Sequence, residues 1–265
     1  MFDPARFLRL ARAQWAEQWR GWAWFLGVCV ILHFVALLLL VSGSDGFLEL
    51  HLDNQRMLYF VGLFLTGPVF AGRYFQALGQ RESAGVLLMR PASSFEKWLL
   101  ALLVVLVAYP LAYSLAFQVL NLPGALYALG LKAAAAAPDP NDPARVWWSM
   151  RDYGVLWPWT AFAERGSFVM TALWMAIFMG FAVLGSLYFR ALPFLKTLVV
   201  GFVVFLLLVF VVELFNGRPE QFFGWWTSEN RPDGWRAVFL PAAWLLVPGL
   251  LWLGALFALR ERQVS

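Results

Sequence analysis

Residues Trp22–Val41 read WAWFLGVCVILHFVALLLLV, with no acidic, lysine or arginine side chain and a single histidine, His33. About 20 such residues cross the ~30 Å hydrocarbon layer of a bilayer as one α-helix, so this run has the length of a span. Five further stretches resemble it: Met57–Phe75, Trp98–Leu120, Ser167–Phe189, Thr197–Phe215 and Ala237–Leu259. Of the 265 residues, 62% are hydrophobic and only 14% charged, against about 45–50% and about 25% in soluble domains. That excess demands an apolar solvent. The expected fold is all-α, a polytopic membrane protein of six transmembrane helices with an N-terminal amphipathic interfacial helix. The second stretch is the weakest, interrupted by Gly62, Gly67, Pro68 and Gly72. Neighbouring helices satisfy backbone groups freed by such residues, and it reads as a kinked span rather than a re-entrant loop.

Six spans put both ends on one side, and basic residues mark the cytoplasmic side. The N-terminal segment, the second-to-third and fourth-to-fifth connections and the C-terminus hold 12 basic and 5 acidic residues, net +7. The other side holds 8 and 11, net −3, which accounts for the overall +4. Both termini are therefore expected in the cytoplasm. The predicted layout is an entry helix over 1–21 and a six-helix domain over 22–265, with an inner loop at 76–97 and outer caps at 121–166 and 216–236.

Asp3 followed by Pro4 reads as an N-cap with proline at the first helical position. Phe7, Ala11, Trp15, Trp19 and Trp22 then recur on one helical face, opposite Arg6, Arg9, Glu17 and Arg20. Such a helix is expected to lie in the membrane interface, rings down and guanidinium groups toward headgroups. The polar residues ahead of the first apolar run do not read as a cleavable signal peptide. Trp98, Trp147, Trp148, Trp157, Trp159, Trp225, Trp226 and Trp235 sit at predicted boundaries, as in an aromatic belt. Asp142-Pro143 repeats the cap signal and predicts a short helix to about Arg151.

Few residues point to chemistry. His33 and His51 do not form a metal-ligand pair, and Cys29 reads as a small buried hydrophobe. A phosphate-cradling loop needs a lysine after glycine, whereas Lys97, Lys132 and Lys196 lack one. The chain is thus read as no enzyme, binding no cofactor or metal of its own. No basic run exists to track nucleic acid. Polar groups inside spans are costly and are candidates for a substrate path: His33, Tyr109, Tyr113, Gln118 and Asn121. Ordinary helix–helix hydrogen bonding explains them as well. Glu213 reads as reaching the interface at the end of the fifth span.

The inner loop, QALGQRESAGVLLMRPASSFEK over Gln76–Lys97, predicts a short helix over Gln80–Met89 stopped by Pro91. Ser93 and Glu96 then have capping-box spacing for the next helix. The run Leu88-Met89-Arg90-Pro91-Ala92-Ser93-Ser94-Phe95-Glu96-Lys97 resembles the L-P-A-S-x-x-E-K signature after the second span of bacterial permeases of the type-2 ATP-binding-cassette exporter class. Arg90 departs from it, standing where the group has an apolar residue. The resemblance implies a homodimer in the bacterial inner membrane, each copy docked on a separate ABC ATPase subunit that carries ATP and Mg. It also implies a coupling helix, with Gln80, Arg81, Glu82, Val86, Leu87, Leu88, Met89, Arg90 and Glu96 as ATPase-coupling residues and Pro4–Trp19 as a second contact. The cargo would be hydrophobic or amphipathic: a lipid, drug or peptide. A membrane scaffold and an ion-coupled secondary transporter are the alternatives.

Overall fold

The computed structural model describes residues 2–43, 46–75, 92–134, 151–162, 165–189, 193–214, 234 and 236–264. Its elements are helix α1 (Pro4–Val41), a 3-10 turn (Gly46–Glu49), α2 (Leu52–Tyr74), α3 (Ser94–Leu103), a π-helical turn (Val104–Ala108), α4 (Tyr109–Ala134), α5 (Arg165–Tyr188), α6 (Pro193–Leu214) and α7 (Arg236–Val264). Among the described residues there is no strand.

Against the six spans read from the sequence, four helices among the described residues are long and apolar enough to cross a membrane: Pro4–Val41, Ser94–Ala133, Ser167–Tyr188 and Val238–Glu261. α6 is apolar over a shorter stretch, Leu195–Val211. α2 has 23 residues but opens on Asp53, Asn54, Gln55 and Arg56 and ends on Arg73, which dilutes its apolar run. The helical character and the apolar surface are those of a membrane-embedded protein. Phe202, Leu207, Leu246 and Leu250 are among many large hydrophobics more than half exposed, a surface that water would not tolerate but lipid does.

Two expectations about boundaries change. The entry helix over 1–21 is not a separate element, because α1 runs without a break through Gly21 and Trp22. At 38 residues it is about 57 Å long, nearly twice the hydrocarbon layer. Nothing in its interior, neither proline nor a second cap, gives it a reason to stop. The cap drawn from Asn121 likewise starts inside α4, which continues to Ala134. The helix predicted after Asp142-Pro143, with Trp147 and Trp148, lies outside the described residues, as do Trp225, Trp226 and Trp235. α2 remains helical through Pro68.

The chain divides into two compact units. The first comprises Met1–Glu17, Gly67–Ala108 and Glu164–Ser265. In it α5 packs on α6 and α7, and α7 packs on α3. Trp98 Nε1 donates to the Trp252 carbonyl at 2.8 Å, and Trp252 Nε1 donates to the Ala176 carbonyl at 3.0 Å, so two indoles link α3, α7 and α5. Small residues let these backbones approach. Gly180 lies under the Trp252 ring, Gly201 under Phe181, and Gly185 against the Thr197 side chain.

The second unit comprises Gln18–Thr66 and Tyr109–Ala163. Tyr109, Tyr113, Phe117, Asn121, Ala125 and Ala128 form a buried stripe along α4, while Leu111, Leu115 and Val119 on the opposite side are exposed. The π-helical turn ends at Ala108, two residues before Pro110. Proline there cannot donate to the carbonyl four residues back and crowds it, and a wider turn relieves both problems.

Replacing Gly185 with valine is expected to cost about 1–3 kcal/mol by overpacking, because even a Cβ there overlaps Thr197. Thermal unfolding of the detergent-purified chain checks this, with Gly21→Val as a control in open space.

Candidate functional site

Two polar arrangements stand out, one in each unit. In the first, the sequence-predicted capping box is present: Ser93 Oγ accepts from the Glu96 N–H, and Glu96 Oε2 accepts from the Ser93 N–H at 2.9 Å. The predicted N-cap of α1 is present too, with Asp3 Oδ1 accepting from the Ala5 N–H at 2.9 Å. The two caps meet. Glu96 Oε1 accepts from the Asp3 N–H at 3.0 Å, from Arg6 Nη2 at 2.7 Å and from Arg6 Nε at 3.1 Å. The Glu96 side chain is fully buried and that of Arg6 is one-third exposed. One carboxylate therefore serves two helix starts, where the partial positive charge of the N-terminus favours an anion. Phe2 adds an edge contact to Phe95, with ring centroids 6.3 Å apart.

The second arrangement is a neutral polar seam. Gln55, buried completely, uses its whole carboxamide: Nε2 donates to the carbonyls of Leu50 (2.7 Å) and Gly154 (2.9 Å), and Oε1 accepts from Asn121 Nδ2 (2.8 Å) and the Leu156 N–H (3.1 Å). It joins α2, α4 and the segment 151–156. That segment is held further by Tyr153 OH donating to the Leu48 carbonyl (2.6 Å) and by the Arg151–Glu49 ion pair (3.1 Å). Deeper along α4, Tyr59 OH lies 2.9 Å from Ser114 Oγ, which donates to the Pro110 carbonyl at 2.7 Å. Tyr113 OH donates to the Tyr59 carbonyl at 3.1 Å, passing over Gly62, where a Cβ would overlap the hydroxyl. Tyr109 OH meets the Thr66 hydroxyl, which also bonds the Gly62 carbonyl.

The five residues proposed for a substrate path all fall in this unit, though not in one role. Tyr109 and Tyr113 are fully engaged in helix–helix hydrogen bonds, and Asn121 keeps Oδ1 unpartnered among the described residues. His33 stacks its edge on Phe117 at 5.0 Å and leaves Nε2 without a partner there. Both polar atoms of the Gln118 carboxamide are buried without one. The coupling candidates Gln80, Arg81, Glu82, Val86, Leu87, Leu88, Met89 and Arg90 lie outside the described residues; Glu96 alone is described. Glu213, near the end of α6, is exposed. Among the described residues no three His, Cys, Asp or Glu side chains converge to hold a metal.

Sequence reasoning missed Gln55, Arg6 and Thr66. The partners of Gln55 are backbone atoms up to 101 residues away, for which a sequence pattern carries no signal. Arg6 was placed on the polar face of the entry helix, but its partner 90 residues on is set by tertiary packing.

His51, just ahead of α2, has its pKa lowered from 6.5 by burial first and then by the nearby Arg151 charge. The unfolded chain therefore takes up this proton more readily than the folded one. Its contribution to stability is complete above pH 6.5 and is lost as pH falls below it. Thermal unfolding at pH 7.5 and 5.5 should show an acid loss in the wild type that shrinks in His51→Gln. Gln55→Leu strands four partners, three in buried bonds and one part-buried, and is expected to cost about 3 kcal/mol or more, read as a lower unfolding temperature and faster proteolysis near residue 154.

The chain matches no family model, no curated protein and no solved structure.

Proposed function

We propose that this chain is the permease subunit of a bacterial ATP-binding-cassette exporter, working as a homodimer with a separate ATPase subunit. In this reading all six apolar stretches cross the inner membrane, α2 and α6 included, and both termini are cytoplasmic. The observation that carries it is the run Leu88–Lys97, whose resemblance to the exporter signature rests on Pro91, Ala92, Ser93, Glu96 and Lys97. Two of those residues have a physical task that explains their spacing: Ser93 and Glu96 close a capping box on α3. The union of that box with the start of α1 supports a joint role for the N-terminal helix and the inner loop in meeting an ATPase.

The division of labour follows from the chain's own residues. It offers no lysine-bearing phosphate loop, so ATP binding and hydrolysis fall to the partner. Its spans supply the path. The seam of neutral hydrogen-bonding groups, with His33 and Gln118 holding unpartnered atoms, suits an amphipathic cargo better than a free ion. Movement of the ATPase would be delivered to α1 and α3 through their cytoplasmic ends.

A mild-detergent pull-down of the tagged chain from its native host tests the proposal. A stoichiometric subunit with a phosphate-binding loop is expected by mass spectrometry. In the Val86→Asp, Leu87→Asp, Leu88→Asp variant that subunit should be lost or its ATP hydrolysis uncoupled, while the permease stays folded. Reproducible absence of an ATPase from the intact wild-type chain would overturn the exporter reading in favour of a scaffold or a secondary transporter.

A further inference from the structure

We infer that Arg6 is a positioning residue that acts through Glu96, setting the register of the first turn of α1 against the first turn of α3 so that a displacement of either is passed to the other. The inference deepens the exporter reading and rests on it only for its nucleotide-dependent part.

The geometry leaves little slack. Both helix starts hang on one carboxylate: the N–H of the α1 cap, Asp3, on Oε1 and the N–H of the α3 cap, Ser93, on Oε2. The Glu96 side chain is covered completely while these partners are in place. Arg6 supplies the directional constraint. Its Nε and Nη2 both close on the same oxygen, at 3.1 and 2.7 Å, and the planar guanidinium fixes the approach of α1 as well as its distance. A lysine would keep the charge and lose the fork. The contact has an apolar neighbour that does not depend on charge, Phe2 against Phe95 and Phe7. Without the guanidinium, the two helix starts are therefore expected to stay adjacent and lose their fixed register.

A buried carboxylate shared in this way is a mechanical joint. Pulling α1 along its axis moves Asp3 and Arg6 together, and both load the same oxygen. The load passes through Glu96 to Ser93, the residue at which the chain enters α3. A partner protein that touches α1 near its exposed Leu8 and Arg9 thereby reaches the start of α3 without touching it.

Spin labels at Ala5→Cys and Ala92→Cys, in the full chain carrying Cys29→Ala, test the joint by electron paramagnetic resonance. The expected result is a narrow distance distribution with Arg6, a clearly broader and longer one in Arg6→Gln, and an intermediate one in Arg6→Lys. A distribution in Arg6→Gln that superimposes on the wild type overturns the inference. If Arg6→Gln does not fold, Arg6→Lys decides by the same comparison. With an ATPase co-purified, Arg6→Gln should lower kcat for ATP several-fold at unchanged KM, with substantial recovery in Arg6→Lys; equal kcat in all three overturns the coupling role. Broadened labels with no ATPase in the preparation leave the joint standing and remove the exporter reading. Unaltered labels in the presence of the ATPase do the reverse.

Discussion

Helices dissolved in lipid gain nothing from hiding apolar surface against one another, because the acyl chains are as apolar as leucine. What holds them together is closeness of approach and hydrogen bonding. The described contacts follow that constraint. α5 meets α6 and α7 at Gly180, Gly185 and Gly201, where the absence of a side chain lets a neighbour's ring or hydroxyl reach the backbone. Trp98 and Trp252 spend their indole N–H groups on carbonyls of adjacent helices. Gln55 does the same with two donors and two acceptances. Elsewhere the surface is left apolar, and along α6 almost every described side chain faces outward.

The same constraint explains what could be read in advance. Apolar runs are a one-dimensional signal, so the existence of most helices, the cap at Asp3 and the box at Ser93 and Glu96 are visible in the residues themselves. Helix continuation is less visible. Polarity changes near Gly21 and Asn121 suggest boundaries, yet α1 runs on through Gly21 and α4 runs on even through Pro123 and Gly124. The polar sites divide in the same way. His33, Tyr109, Tyr113, Gln118 and Asn121 are conspicuous as polar letters in apolar text. Gln55 is not, because it stands in a polar stretch, Asp53-Asn54-Gln55-Arg56, and only the fold distinguishes it from its less buried neighbours.

The seam and the clasp that Glu96 forms with Asp3, Arg6 and Ser93 differ in how they handle polarity. In the seam the groups are neutral, and each hydroxyl finds a carbonyl or another hydroxyl, which avoids most of the penalty of burial. The atoms left unpartnered among the described residues, at His33, Gln118 and Asn121, carry a cost of about 1–3 kcal/mol each. The clasp instead buries a full charge, tolerable because the carboxylate accepts four N–H bonds, two of them from a guanidinium. One arrangement joins helices through many neutral groups; the other gathers two helix starts at one charged, fixed point.

That fixed point has a consequence for how the protein is made. Glu96 lies 93 residues after Asp3 and 90 after Arg6. At about 5–20 residues per second, translation takes on the order of 5–20 s to deliver the acid after its partners have left the ribosome. Throughout that interval α1 has its own Asp3 cap but lacks the carboxylate that ties it to α3. Its tie to α3 therefore waits until the third apolar stretch begins to emerge.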